Sequence, residues 1–317
     1  MRVVVIGATG HVGGYLVPRL VRAGHEVIAI SRGEHKPYRS DAAWSQVTRI
    51  VADREAEDAA GTFGDRVAAL APDVVIDMVC FTLDSARALV KSLRGSGALL
   101  VSCGTIWVHG TLVTVPARED DARTPWGDYG VGKSQIEDFL LAESRRPDGV
   151  RSIVLRPGHI SGPGWKVINP IGNIDLDVWE KLATGVEILL PGNGLETVHH
   201  VHADDVAQAF MLAIENAPLA VGLSFNVVSA HAVTLRGYAE TVASWSGREA
   251  KIRYVSMAEF SASLTSASAA TSQEHLSRSH SMSIERARRV LGYAPRYSSL
   301  EAVAEAVDWL RADGQIT

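Results

Sequence analysis

Residues 2–14 read RVVVIGATGHVGG, and this stretch constrains the fold more than any other. RVVVIG is a continuous β-branched run, the pattern of a strand buried on both faces of a sheet. Gly7, Gly10 and Gly13 follow at three-residue spacing. A helical pattern from His11 to Ala23 then carries Val12, Leu16, Leu20 and Val21 on one face. Glycines alone would fit any tight strand-to-helix turn. With strand and helix on either side, they let the backbone approach a pyrophosphate whose charge sits at the helix N-terminus. Gly7, Thr9, Gly10, His11, Val12 and Gly13 are therefore the expected phosphate-side residues of a dinucleotide site.

The alternation continues along the chain. Gly24 stops the first helix and HEVIAI reads as the second strand. Further strands are expected at 47–51, 73–79, 98–102 and 151–155, with helical segments between most of them. This calls for an α/β fold, a doubly wound parallel Rossmann sheet. At 317 residues the chain exceeds one hydrophobic core. The expected division is a dinucleotide-binding domain over 1–155 and a mainly substrate-binding lobe over 156–317, some segments of which return to the sheet. In that lobe TVHHVH and SFNVV read as strands, and 283–291 and 299–311 as helices. The Ser/Ala-rich run 261–283 reads as a mobile loop or poorly specified helix that would serve as a lid.

Composition bounds the rest. Hydrophobic residues make up 46% and charged ones 21%, a globular balance, and the net charge of −5 argues against a nucleic-acid partner. The first apolar run is too short for a signal-peptide core or membrane span, so a cytoplasmic protein with no membrane partner is expected. Cys80 and Cys103 lack metal-type spacing, and His200 and His202 share a strand face without further ligands, so no metal is expected.

Ser31-Arg32 follows the second strand, where an NAD-selective site carries a carboxylate for the ribose hydroxyls. Arg32 offers a partner for a 2′-phosphate, which favours NADP with NAD possible; a solvated arginine is the alternative. Asp53 stands either at the adenine or in a simple turn. Further on, DYGVGKS places Tyr129 four residues ahead of Lys133, and SCGTIWVHG supplies Thr105. Loops at the carboxyl ends of parallel strands converge on the cofactor cleft, so these three side chains are expected to meet beside the nicotinamide. Trp107, Trp126 and Trp165 lie in loops expected to line the substrate site, with packing of loop anchors as the plainer account.

Together the glycine spacing, SCGTIWVHG, YGVGK, RPGHISGPG and HVHADDVAQAF resemble the extended short-chain dehydrogenase/reductase family, the NAD(P)-dependent epimerases, dehydratases and related reductases. The likeness runs to about Leu310 through RARRVLGYAPRYSSLEAV. It implies that Tyr129 is the acid/base, Lys133 the ribose clamp that lowers the phenol's pKa, and Thr105 the hydroxyl on the substrate carbonyl. It also implies that Arg156 to Gly158 form the step from cofactor to substrate pocket, with Arg156 on the cofactor and His159 on the substrate. Asp205 matches a structural aspartate, and a homodimer is the implied assembly. The chain departs from the family at Asp77-Met78-Val79-Cys80, at His109 and in having Thr105 for serine. The leading expectation is an NADP(H)-dependent oxidoreductase acting on a carbonyl or hydroxyl of a small metabolite. The alternatives are an epimerase or dehydratase with tightly held NAD(P) acting on a sugar or nucleotide sugar, and a non-catalytic cofactor-sensing or RNA-associated relative.

Overall fold

The computed structural model describes residues 1–37 and 39–317. Six of the seven central strands arise in the first half of the chain: β1 (Arg2–Ile6), β2 (Glu26–Ser31), β3 (Thr48–Val51), β4 (Val74–Asp77), β5 (Leu99–Cys103) and β6 (Arg151–Pro157). Ser224–Val227 completes a parallel sheet in the order Ser224–Val227, β6, β5, β4, β1, β2, β3. The chain winds outward from β1 to β3, then crosses back to β4 and winds the other way. The carboxyl ends of β1 and β4 therefore flank the crevice where such sheets bind ligands.

The unbroken apolar runs follow from burial on both faces. Val3 and Val5 pack with Leu16, Leu20, Phe210 and Ala213 on one side. Val4 and Ile6 pack with Val67, Leu89 and Val90 on the other. A separate core of Trp179, Leu190, Tyr238, Phe260 and Val307 lies under the later lobe.

One expectation changes and one open alternative is resolved. SFNVV is not a strand of the substrate lobe: Phe225 and Val227, both fully buried, pack on the main core, and the strand pairs in parallel with β6. The helix Ala203–Glu215 provides the crossover that carries the chain back. The Ser/Ala-rich run is largely helical, in Met257–Ala262 and Ser266–Leu276. The caps are Ser256, accepting from the Glu259 amide, and Thr265, accepting from the Ser268 amide. Ser272 is fully buried and its hydroxyl accepts from Asn173 Nδ2 at 3.1 Å, so small polar residues here replace the usual apolar stripe. Leu276 packs on Gly172, where an added Cβ would stand 2.7 Å from Leu276 Cδ2. Beyond it, the Ala117 amide donates to the Ser281 carbonyl and the Ser283 amide to the Ala117 carbonyl, both at 2.8 Å.

Candidate active site

The glycine turn fits a dinucleotide phosphate. Gly7 has φ +85°, and a Cβ there would stand 2.8 Å from Val79 Cγ1. At Gly13 a Cβ would stand 2.0 Å from the Ala8 carbonyl oxygen, so only glycine lets the helix start this close to the strand. The helix Gly13–Arg22 opens with no side-chain cap and no acidic residue, and its Gly14 amide donates to the Gly10 carbonyl at 3.0 Å and its Leu16 amide to the Val12 carbonyl at 2.9 Å, so its positive end carries no carboxylate. Thr9 is half-buried and Val12 buried on this turn. His11 Nε2 donates to the Pro163 carbonyl at 3.0 Å, and the ring stacks on Trp165 at 5.7 Å. Burial brings its pKa down to about 4. Trp165, expected among substrate-lining tryptophans, thus stands at the phosphate turn.

At the adenosine end Ser31 closes β2 and Arg32 is exposed, with Nη2 3.1 Å from Glu34 Oε2. Asp53 caps the helix Arg54–Ala59, accepting from the Ala56 amide at 3.2 Å. Beneath it lies an ion-pair network that the sequence reading missed: Arg54 Nη1 donates to buried Asp77 at 2.6 Å and Nε to Asp58 at 3.3 Å. Its signal was the single carboxylate ending the apolar strand VVID.

The tyrosine, lysine and threonine do meet. Lys133, buried on the helix Gly127–Glu143, donates from Nζ to the Cys103 carbonyl at 2.8 Å and lies 4.9 Å over the Phe81 ring and 5.9 Å over the Tyr129 ring. Thr105 Oγ1 accepts from the Trp107 amide at 3.2 Å, and its hydroxyl faces the Tyr129 hydroxyl closely enough to favour the phenol's ionisation. Gly130 allows this approach, since a Cβ there would stand 3.2 Å from the Trp107 carbonyl oxygen. The helix is capped at Trp126, without a side-chain bond, and Asp128 falls in its first turn rather than at the cap. Tyr129 keeps 44% of its surface open. Desolvation of its hydroxyl nevertheless pushes its pKa up to about 12, with the Cys103 thiol adding to the rise and the Thr105 hydroxyl opposing it. In the protein alone the phenol is therefore not lowered, because the Lys133 ammonium is directed to a carbonyl. A neutral phenol at pH 7 is a proton donor, suited to a carbonyl oxygen gaining charge.

Trp107 and Trp126 clasp the buried guanidinium of Arg278, 3.8 and 3.5 Å from the two rings. Arg278 also donates to the Glu274 carbonyl at 2.6 Å and the Trp126 carbonyl at 2.9 Å. Nothing in the serine-rich run singled out this residue. Arg156, expected on the cofactor, is instead an interior packing element. Its Nε donates to Glu137 Oε2 at 2.8 Å, its Nη2 pairs with Oε1 of the same carboxylate, and its Nη1 reaches the Glu119 carbonyl at 3.3 Å. Removing this cation from water demands such a partner. Asp205 is fully buried and accepts from the Arg296 and Tyr297 amides, a structural role. His159 lies on the strand His159–Ser161, its ring 5.0 Å from that of His275. Among the described residues no helix is long and apolar enough to cross a membrane.

The family model for the NAD dependent epimerase/dehydratase family matches residues 3–227. A dTDP-4-dehydro-6-deoxy-D-allose reductase of a Streptomyces species is 27% identical, the match covering 79% of this chain and 83% of that protein. The 2′-dehydrokanamycin reductase of Streptomyces kanamyceticus is 28% identical over 78% of this chain and 67% of its own length. Among solved structures, a UDP-glucose 4-epimerase of Thermotoga maritima with UDP-glucose superposes with a TM-score of 0.74 at 20% identity, covering 99% of both chains.

Proposed function

Because the chain belongs to the NAD-dependent epimerase/dehydratase family, we propose that it is an NADP(H)-dependent oxidoreductase that reduces a ring carbonyl of a sugar-like metabolite. The observation carrying this reading is the convergence of Thr105, Tyr129 and Lys133 on one corner of the cleft. Two relatives are named as reductases of dehydro-sugars, which supports net reduction. The cofactor supplies the hydride when bound. Gly7, Gly10 and Gly13 would hold its pyrophosphate, and Ser31 and Arg32 its adenosine ribose. Thr105 orients the substrate oxygen, and Tyr129 donates the proton to that oxygen as charge develops on it. Lys133 exchanges the Cys103 carbonyl for the cofactor's ribose hydroxyls and adds positive charge beside the phenolate left behind. The Arg32–Glu34 pair at 3.1 Å favours a second reading, an epimerase with tightly held NAD, since a 2′-phosphate must displace that carboxylate. The test is turnover of Tyr129→Phe on a ketosugar panel with NADPH and NADH. A fall on the order of 10²-fold with cofactor affinity kept supports the assignment. Near-normal turnover overturns it.

A further inference from the structure

Next to the catalytic corner runs a continuous row of rings, of which His159 and His275 are partly exposed. Tyr129 meets Trp107 edge-on at 5.5 Å, and Trp107 meets His275 at 5.1 Å. His275 in turn meets His159 at 5.0 Å, and His159 meets His200 at 5.6 Å. His159 and His200 are partners across two paired strands, and His275 ends the helix Ser266–Leu276.

Hydrogen bonding fixes which nitrogen of His159 and of His275 carries the proton. A carbonyl only accepts, so His159 Nδ1 donates to the His199 carbonyl at 3.2 Å and His275 Nδ1 donates to the Thr271 carbonyl at 2.8 Å. The Ser161 hydroxyl stands 3.1 Å from the His159 carbonyl and 2.8 Å from His200 Nδ1, and its single proton serves one of the two. Burial and the neighbouring imidazoles hold His159 well below its usual pKa and His200 at about 3, and burial lowers His275 as well. Neutral His159 and His275 therefore turn a lone pair, on Nε2, toward their surroundings. On His159 and His200 that atom is buried without a partner, and His200 is fully buried. A buried acceptor with no donor is costly unless a ligand supplies one.

We propose that this imidazole row is the hydroxyl-reading subsite of the cleft, where His159 and His275 accept hydrogen bonds from the ring hydroxyls of an uncharged polyol, with the fully buried His200 packed behind His159. The inference rests on the reading of Tyr129 as the proton donor, which places the substrate's carbonyl at one end of the row. Lone-pair nitrogens repel phosphoryl oxygens, so this part of the cleft selects against a charged phosphate. Arg278, beside Trp107, is already stacked between two rings and bonded to two carbonyls. Among the described residues no group of three or more ligands has an arrangement able to hold a metal ion.

The experiment is nitrogen-15 spectroscopy of the histidine rings in the full chain loaded with NADP(H). The uncharged probes are scyllo-inosose, myo-inositol, methyl α-D-glucopyranoside and methyl α-D-galactopyranoside. The controls are permethylated myo-inositol, UDP and Zn²⁺. The expected result is that at least one polyol moves the Nε2 resonances of His159 and His275 while the permethylated ring and UDP do not. His159→Phe or His275→Phe should weaken that polyol's binding roughly 10- to 100-fold. Should either variant fail to fold, the wild-type titration still decides. No response to any polyol, an equal response to the permethylated ring, a response to UDP in its place, or stoichiometric capture of Zn²⁺ by these rings would each overturn the proposal. Tyr129→Phe separates the two readings. Normal turnover with polyol shifts intact sinks the catalytic assignment alone; lost turnover with silent histidines sinks the subsite alone.

Discussion

Acidification should unfold this protein before its carboxylates titrate. His11, His109 and His199 have pKa values lowered to about 4, and His200 and His280 to about 3, with burial the main cause at each. All are under a tenth exposed. Because the folded-state values lie below the unfolded value of about 6.5, full stability is present above that pH and is lost as pH falls toward the folded values. At pH of about 5 each unfolded imidazole is favoured by about 2 kcal/mol through the proton it binds. Five such groups total about 10 kcal/mol, comparable with the whole stability of an ordinary domain. Near pH 5.5 the slope should correspond to about four or five protons, or roughly 6 kcal/mol per pH unit. Urea melts followed by tryptophan fluorescence between about pH 7.5 and 5 would measure it. His280→Gln should reduce the slope by about one proton. Stability that stays level to about pH 5.5, and falls only where carboxylates protonate near pH 4, would refute the reasoning.

Other expectations concern the cofactor and substrate ends. Lys133→Ala should weaken NADP(H) binding and turnover together, read by calorimetry and initial rates, because the proposed role gives the ammonium both the ribose and the phenol to serve. Arg32→Ala should cost NADP(H) roughly 10- to 100-fold in affinity and barely alter NAD(H), whereas Glu34→Gln should improve NADP(H) by freeing the arginine; equal effects on both cofactors would remove Arg32 from the site. Gly13→Ala should abolish cofactor binding or folding, measured by calorimetry and thermal melts, since its methyl meets the Ala8 carbonyl at 2.0 Å. Bound substrate should slow hydrogen exchange in 156–166 and 261–283 while β1 to β3 stay unchanged.

The legible parts of this molecule were those where a local pattern has one physical meaning. RVVVIG before spaced glycines admits few alternatives, and the apolar runs of β1, β2, β4, β5 and β6 announced their burial. Thr105, Tyr129 and Lys133 were legible because loops at one edge of a parallel sheet must converge. Contacts closed by distant segments were not. Arg278 reaches Trp126 across 152 positions, and His275 reaches the Tyr129 corner from a helix whose buried residues are Ser268, Ser272 and Leu276. Arg156 misled because its neighbours Glu137 and Glu119 come from elsewhere in the chain, and only they show that its charge is neutralised internally. Ser224–Val227 looked like a lobe strand because nothing local records which sheet a returning crossover joins.

That returning strand has a consequence for synthesis. β6 is complete at Pro157, but the neighbour that covers its outer side, Ser224–Val227, follows roughly seventy residues later. At a ribosomal pace of about 5–20 residues per second, the nascent sheet spends on the order of 3–14 s with β6 as an open edge. Its side chains Ile153, Val154 and Leu155 are among the most buried in the finished protein. Such an edge is a template for pairing with another chain. The emerging polypeptide is therefore most exposed to misassociation, and most in need of a chaperone, after its cofactor half has been made and before its last sheet strand arrives.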